Sequence, residues 1–217
     1  VTFYDIITTN EEVILAATSN GVWISENYGN DWDKASSFNE AVRKLYKSVS
    51  GDYYALTNYG AYKNNGTSFR TWDLMDGLEF SKSIRDITED GSGNIYISTD
   101  LGVFKLNSEL IPYIEDTWQK MPIFGAKSSE SYAIIYDGVY DRGSIPGTGR
   151  ILVSNEIGLV QSIDEGLTWS YISDLEAFIK VRDFVIDNGY IFALSDNAVY
   201  REEIGESSLP EAMQWDQ

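Results

Sequence analysis

Ser162, Asp164, Gly166 and Thr168 occupy alternate positions of the stretch SIDEGLTW, and Trp169 ends it. Such residues have three common uses: nucleophile and acid in a catalytic loop, oxygen ligands in a metal loop, or side chains that hold a hairpin. The chain has no histidine and no cysteine, which excludes imidazole triads, thiolate metal sites and disulfides. The longer D-x-D-x-D-G pattern of an EF-hand loop is absent. The stretch therefore predicts a structural hairpin in which Gly166 adopts positive φ and Asp164 accepts hydrogen bonds, with a calcium or catalytic role as the disfavoured alternatives.

The tryptophan of this stretch belongs to a unit that recurs five times. Each copy has a short apolar run, a polar turn, an apolar pair and then a tryptophan. The turns end at Gly21, Gly60, Gly102, Gly158 and Ala198, and the tryptophans are Trp32, Trp72, Trp118, Trp169 and Trp215. An apolar residue of an earlier segment also recurs, as Ile6, Leu45, Ile87, Ile134 and Phe184. The repeated tryptophans are predicted to be core residues between neighbouring sheets, and Trp23, the sixth, lies on a predicted strand.

Each copy is predicted to form four short strands, because its apolar runs are rich in β-branched and aromatic residues and are bounded by Gly, Asn, Asp and Ser. Repeated four-stranded antiparallel units of about 40 residues are typical of β-propeller blades. We therefore predict an all-β chain that forms a single β-propeller domain over 1–217, either five-bladed or part of a larger propeller. The approximate blade ranges are 1–36, 37–77, 78–125, 126–176 and 177–217. No strand from one end completes a blade at the other, so closure is expected to rely on packing between the first and last blades or on further sequence.

Two stretches carry a resemblance to known families. SIDEGLTW resembles the Asp-box of BNR-repeat proteins, S/T-x-D-x-G-x-T-W, and SENYGNDW is similar at Ser25, Gly29 and Trp32, with Asn27 in place of the aspartate. Residues 84–106 resemble the regulator-propeller repeat of surface and sensor proteins from Bacteroidota-type bacteria. The resemblance implies a secreted or surface propeller, extracellular or periplasmic, whose boxes lie on the rim away from the active face.

The charge of the chain excludes two classes of partner. It carries 16 basic and 34 acidic residues, a net charge of −18. Such a surface repels phosphate backbones and anionic lipid, so we expect no nucleic-acid binding. No apolar run approaches the length of about 18 residues that a membrane helix needs, so we expect no membrane insertion.

Glycoside hydrolysis is the catalytic alternative, since sialidases also carry Asp-boxes on propellers. That resemblance would require an arginine cluster for a substrate carboxylate, a Tyr–Glu nucleophile pair and an acid. Arg43, Arg85 and Arg182 share one repeat position beside the first strand, which favours a structural role, and the N-terminal arginine motif of sialidases is missing. We therefore expect no catalytic residue and no cofactor.

Two further residue sets have both a functional and a structural interpretation. Asp5, Asp86 and Asp183 share a position on the innermost strand, where they would either surround a channel and bind a cation or hydrogen-bond the backbone and pair with adjacent arginines. The second reading is favoured, and no metal site is predicted. Asn65 begins a formal N-glycosylation sequon, a weak signal in a bacterial protein.

The predicted function is non-catalytic binding or scaffolding outside the cytoplasm. Recognition of a protein or a glycan would use the loops that join successive blades. Exposed rings for a partner are expected in the variable loops at 73–80 and 124–132 and in the Gly-rich insert at 137–150 that contains Tyr140. One alternative is a structural subunit of a larger surface or fibrous assembly, through self-assembly or fusion to flanking domains. A sialidase-like hydrolase is the other, and it is disfavoured.

Overall fold

The structure of the chain is a computed structural model that describes residues 1–66, 68–78, 83–107, 117–123, 130–138, 149–155, 158–172 and 180–203. Regular structure within these ranges consists of nineteen β-strands and no helix, which confirms the all-β class. Consequently, no helix of the described ranges is long and apolar enough to cross a membrane.

The strands form five sheets in chain order. The first sheet contains β1 (Phe3–Thr8), β2 (Ile14–Thr18), β3 (Gly21–Ser25) and β4 (Asp33–Lys34). The second contains β5 (Val42–Lys47), β6 (Tyr53–Thr57), β7 (Ala61–Asn64) and β8 (Trp72–Leu74). The third contains β9 (Ile84–Glu89), β10 (Ile95–Thr99), β11 (Gly102–Asn107) and β12 (Thr117–Lys120). The fourth contains β13 (Ser131–Asp137), β14 (Arg150–Asn155), β15 (Gly158–Ser162) and β16 (Ser170–Ile172), and the fifth contains β17 (Val181–Asp187), β18 (Tyr190–Ser195) and β19 (Val199–Glu203).

Within each sheet, every strand pairs with the next one along the chain. This up-and-down order is what four short strands joined by tight turns produce, because each turn returns the chain antiparallel beside the strand just completed. Each sheet lies inside one of the five predicted blade ranges. The predicted fourth strand of the fifth copy, with Trp215, falls outside the described residues.

A hydroxyl recurs in the turn between the second and third strands. The hydroxyls of Thr18, Thr57 and Thr99 each donate to the carbonyl oxygen of the glycine three residues later, at 2.9 Å. Ser195 makes the same bond to the Ala198 carbonyl at 3.1 Å. Because a side chain of the turn itself donates to this carbonyl, the turn needs no hydrogen bond from another strand. The repeated T-x-x-G pattern therefore explains why the chain forms a hairpin at this point.

Contacts divide the chain into two compact units, residues 1–85 with 108–118, and residues 86–107 with 119–217. In the first unit, one apolar cluster joins the first and second sheets and contains Leu15, Val22, Leu45 and Trp72. In the second unit, one cluster joins the third and fourth sheets and another joins the fourth and fifth. The core of each unit is therefore a layer between successive sheets, and the single-domain organisation stays a prediction.

The repeated tryptophans differ in burial. Trp72, Trp118 and Trp169 are buried, whereas Trp32 is half-buried and belongs to none of the three apolar clusters described above. Trp32 lies in the turn between β3 and β4 of the first sheet. Trp23 lies on β3, as predicted, and its buried indole N–H has no hydrogen-bond partner, like that of Trp118.

Candidate functional site

The SIDEGLTW stretch forms the hairpin between β15 and β16, called here the fourth-blade hairpin (residues 162–169). The Ser162 hydroxyl donates to Asp164 Oδ1 at 2.8 Å and accepts from the Gly166 backbone N–H at 2.8 Å. Asp164 also accepts from the Thr168 N–H at 2.8 Å and from the Thr168 hydroxyl. Gly166 has φ 85° and its neighbour Glu165 has φ 57°, so two successive residues adopt the left-handed conformation that the turn requires. Every polar side chain of the motif is thus used inside the hairpin.

The SENYGNDW stretch builds the same turn as the first-blade hairpin (residues 25–32). Ser25 donates to Asn27 Oδ1 at 3.1 Å and accepts from the Gly29 N–H at 2.8 Å, and Asn27 Oδ1 accepts from the Asp31 N–H at 2.8 Å. The Asn27 amide then donates to the Asp31 carboxylate at 2.9 Å. In the fourth-blade hairpin the third residue, Asp164, accepts from Thr168, whereas here the third residue, Asn27, donates to Asp31. An amide–carboxylate pair therefore replaces the carboxylate–hydroxyl pair.

The tryptophan that follows each hairpin is tied back to it. The indole N–H donates to the carbonyl three residues earlier in Trp32, Trp72 and Trp169, at 3.0, 2.8 and 3.0 Å. The fourth-blade hairpin also lies against the third sheet, since a Cβ on Gly166 would come within 2.7 Å of the Met121 side chain. The described ranges contain no group of acidic side chains arranged to hold a metal ion. Within them the motif residues have the geometry of structural groups.

A cavity of about 350 Å³ lies beside the fourth-blade hairpin, within the second unit. Its walls come from the turn between β9 and β10, the ends of β13 and β14, and the hairpin itself. Its lining includes Asp90, Glu165, Tyr136, Arg150 and Leu167. This volume is within the range of small-ligand pockets, about 300–1,000 Å³.

The carboxylates at this cavity are engaged in hydrogen bonds. Asp90 accepts from the backbone N–H groups of Ser92 and Asn94 at 2.9 Å each, from the Asn94 amide at 2.8 Å and from the Tyr96 hydroxyl at 2.9 Å. Glu165 accepts from the Ser92 hydroxyl at 3.2 Å and lies 3.5 Å from the Lys105 ammonium. Burial, together with the Asp90 carboxylate, raises the pKa of Tyr96 above its usual value, so this phenol stays protonated.

A buried ion pair stands at the base of the 137–150 insert. Arg150 Nε lies 2.9 Å from Asp137 Oδ2, the two residues are paired across β13 and β14, and the side chains are 6% and 0% exposed. The Tyr136 ring beside them fills a space bounded by glycines: a Cβ on Gly91 or Gly149 would come within 2.6 or 2.2 Å of the Tyr136 hydroxyl oxygen. The glycines are therefore needed for the close approach of this ring, which forms one wall of the cavity.

The inner-strand aspartates bond the backbone. Asp5 Oδ2 accepts from the Leu45 N–H of the second sheet at 2.9 Å, and Asp86 Oδ2 accepts from the Ile134 N–H of the fourth sheet at 2.9 Å. The first oxygen of Asp5, Asp86 and Asp183 accepts from the next residue of its own strand. This is the backbone-bonding arrangement favoured from the sequence. Arg182, however, pairs with Asp196 and not with the adjacent Asp183; Arg182 Nη2 lies 2.9 Å from Asp196 Oδ2.

The described arginines have separate partners. Arg43 stacks on the Tyr4 ring at 4.3 Å, Arg70 lies 2.9 Å from Asp33, and Arg201 stacks on Tyr190 at 5.4 Å. Tyr62 donates to Glu40 at 2.7 Å, which is a tyrosine–glutamate pair, but it lies against the apolar cluster of the first unit. Asn65 is exposed and accepts from the Thr71 hydroxyl at 3.1 Å. Thr67 of the sequon lies outside the described residues, as do residues 79–80, 124–129 and 139–148 of the predicted recognition loops, with Tyr140 among them.

Sequence reasoning missed the cavity and the groups that build it. The run DGSGN at 90–94 lies within the regulator-type stretch 84–106, and its aspartate, glycines and asparagine are a turn signal that indicates how this wall of the cavity forms. Arg150 and Asp137 flank the insert as opposite charges, and this pattern alone would have suggested a cross-strand ion pair.

Five up-and-down antiparallel sheets of three or four described strands, packed through apolar layers, define the class: this is a β-propeller chain. No family model and no curated protein matches it. Among solved structures it is similar to the extracellular domain of a hybrid two-component system from B. thetaiotaomicron, with a TM-score of 0.71 and 12% identity over 98% of this chain and 27% of that one. It is also similar to a GH74 xyloglucanase from Xanthomonas campestris (TM-score 0.68, 14% identity, 97% of this chain and 38% of that one) and to virginiamycin B lyase from Staphylococcus aureus (0.67, 9%, 99% and 69%). Likeness at these identities establishes the fold alone, which the extracellular domain and the two enzymes share.

Proposed function

We propose that the chain is a non-catalytic binding module of an extracellular or periplasmic bacterial protein, of the BNR and regulator-propeller kind, and that it takes part of a protein or a glycan into the cavity beside the fourth-blade hairpin. The observation that carries this proposal is the cavity itself, about 350 Å³ in volume and lined by both polar and apolar side chains. Leu167, which is 71% exposed, and Ile163 supply apolar surface, and Glu165 and Tyr136 supply polar atoms. Such a mixture suits a sugar ring or a side chain of a protein partner.

Two features support binding without catalysis. Asp90 and Asp164 already accept four and three hydrogen bonds that hold their turns, so neither is free to exchange a proton with a substrate without loosening the turn. Tyr96, the phenol nearest to these carboxylates, stays protonated because its pKa is raised. The carboxylates at the rim and the net charge of −18 favour a neutral or cationic ligand group over an anionic one.

The recognition surface proposed here differs from the interblade loops expected from the sequence. The cavity is lined by turns within blades and by the two ends of the insert, at Tyr136 and Gly149. A position next to the insert is consistent with a role for this sequence in recognition, because the insert interrupts an otherwise constant repeat. The solved neighbour named as the extracellular domain of a two-component system supports the assignment to the cell exterior, and the neighbour named as a xyloglucanase supports retaining the hydrolase as the alternative.

A glycan array and calorimetric titration with neutral and with sialylated oligosaccharides test this proposal, with chromatography of each mixture for products. We expect binding of a neutral ligand without new reducing ends, weakened at least roughly tenfold by Leu167→Ala and by Glu165→Gln. Tyr59→Ala is the matched control, since Tyr59 is also 71% exposed but lies in the second sheet's turn. Turnover that disappears on substitution of a single carboxylate would contradict the proposal, as would binding that neither cavity variant alters.

A further inference from the structure

The place that the cavity occupies in the second unit is filled by a phenol in the first unit. There the Asn10 backbone N–H donates to the Tyr53 hydroxyl oxygen at 3.0 Å. The Tyr53 ring packs edge-on against the Phe69 ring, with 5.1 Å between the ring centroids, and Tyr53 is only 8% exposed. A tyrosine of the second sheet therefore reaches the turn between β1 and β2 and caps a backbone donor there.

Gly91 occupies in the third sheet the position that Asn10 occupies in the first. Each follows the residue that begins the turn, Thr9 or Asp90, whose side-chain oxygen accepts from the backbone N–H groups two and four residues later. Gly91 lines the cavity, and its N–H has no hydrogen-bond partner within the described ranges. The donor that Tyr53 caps in the first unit is therefore open to a ligand in the second.

The two rings of the filled place have smaller equivalents at the cavity. Tyr53 and Ile151 are each the second-strand residue that pairs with the position two residues after the recurrent first-strand residue. Phe69 and Gly166 each accept, through the carbonyl, the indole N–H of the tryptophan three residues later. Ile151 lines the cavity, and Gly166 lies in the hairpin that forms one of its walls. An isoleucine and a glycine thus replace two aromatic residues, so the cavity lies where the first unit has an aromatic ring.

We propose that the cavity binds the phenol side chain of a tyrosine presented by a protein partner, with the ring against Ile151 and Leu167 and the hydroxyl oxygen accepting from the Gly91 N–H. This inference rests on the proposed function and names the group that enters the cavity. A tyrosine has an apolar ring and one polar end, which matches an apolar wall that leads to one open donor. Tyr53 is an example of such an arrangement within the chain itself.

The polar groups at the cavity favour a phenol over a sugar ring or an ionic group. A sugar ring has hydroxyls around its circumference and needs several convergent partners, whereas the Asp90 and Asp164 carboxylates already hold their turns. Glu165 lies 3.5 Å from the Lys105 ammonium, so a cationic ligand would compete with that contact. An anionic ligand would be repelled by all three carboxylates. A neutral phenol avoids each of these costs.

Titration with p-cresol tests the proposal, followed by calorimetry and by the amide signals of the nitrogen-15-labelled chain. We expect saturable binding that shifts the Gly91 amide signal, and binding of toluene, which lacks the hydroxyl, that is about fivefold weaker. Ile151→Tyr should abolish p-cresol binding, because it places a phenol of the chain in the cavity. Val49→Tyr, at a residue that is 93% exposed, is the matched control and should change nothing.

A second variant keeps the test valid if Ile151→Tyr does not fold in thermal melting. Leu167→Ala removes an exposed side chain and should weaken p-cresol binding about threefold. A capped peptide with a single tyrosine should compete with p-cresol, and its phenylalanine counterpart should bind about fivefold more weakly.

The outcomes separate this inference from the proposed function. The phenol assignment is overturned if p-cresol does not bind, if toluene binds equally well, or if folded Ile151→Tyr binds p-cresol as the unaltered chain does. A methyl glucoside that shifts the cavity amides while p-cresol and the tyrosine peptide do not would overturn this assignment and leave the proposed function standing. Absence of binding by every glycan and peptide would contradict both.

Discussion

Replacing Trp169 by alanine is expected to lower the free energy of unfolding by about 3–5 kcal/mol. Trp169 is 9% exposed and shares an apolar cluster with Tyr96 and Met121 near the third sheet and with Val153 of the fourth. A buried tryptophan removes about 150–250 Å² from water, or about 4–6 kcal/mol at about 25 cal/mol per Å². Its indole hydrogen bond to the Gly166 carbonyl contributes about 1 kcal/mol, and partial collapse of the neighbours reduces the measured loss.

Trp32→Ala is the matched control for this substitution. Trp32 follows a hairpin with the same hydrogen bonds and donates to Gly29 at the same 3.0 Å, but it is only half-buried. We expect a loss of about 1–2 kcal/mol, because the hairpin contacts are removed and no sheet-to-sheet layer is opened. The difference between the two variants therefore isolates the contribution of packing between sheets.

Thermal and urea denaturation followed by far-ultraviolet circular dichroism measure both losses. For a chain of this size, the Trp169→Ala loss corresponds to a melting temperature lower by roughly 6–20 °C. A shift of only a degree or two, or an equal shift for Trp32→Ala, would refute the conclusion that the fourth-blade tryptophan packs between sheets.

Three further substitutions test other parts of the structure. Asp164→Asn should be tolerated, because Asn27 holds the equivalent turn, whereas Asp164→Ala should cost about 1–3 kcal/mol in urea denaturation; equal losses would contradict this. Arg150→Ala should cost about 3–5 kcal/mol, because Asp137 is left buried without this partner, and Arg150→Ala with Asp137→Ala should be less harmful than the sum; additive losses would mean that the pair is not coupled. Burial and Glu40 raise the pKa of Tyr62 to about 12, so its folded state favours the protonated phenol. Stability should be complete below pH 10.0 and fall as the pH rises toward about 12, and Tyr62→Phe should remove this part of the loss in melting curves measured against pH; an unchanged pH dependence would contradict the assignment.

The architecture was predictable because each repeat contains residues that determine its turns and strands locally. Glycine or its replacement ends each turn, a hydroxyl three residues earlier closes four of the five, and β-branched runs lie on either side. Each signal involves residues only a few positions apart, so the turns and strands could be located from the sequence alone. The same holds for the hairpins, where Asn27 and Asp31 replace Asp164 and Thr168 and keep an equivalent set of hydrogen bonds.

What escaped prediction depends on contacts between repeats. Ile6 and Val199 have the same residue character as their equivalents in the other copies, yet they are 62% and 54% exposed whereas those equivalents are buried. The cavity similarly requires the turn at Asp90 and the hairpin at Glu165, which are far apart in the chain, to lie side by side. Periodicity shows that two residues are equivalent, but it does not show what covers each of them.

The central claim is that aspartates at one repeat position have a structural role and join one sheet to the next by accepting hydrogen bonds from its backbone. Hydrogen–deuterium exchange of the Leu45 and Ile134 amides tests this claim most directly. These amides donate to Asp5 and Asp86 of the preceding sheets. We expect slow exchange in the unaltered chain, faster exchange at Leu45 only in Asp5→Ala and at Ile134 only in Asp86→Ala, and no change at either amide in Asp183→Ala. Rapid exchange at both amides in the unaltered chain, or exchange that ignores these substitutions, would contradict the account.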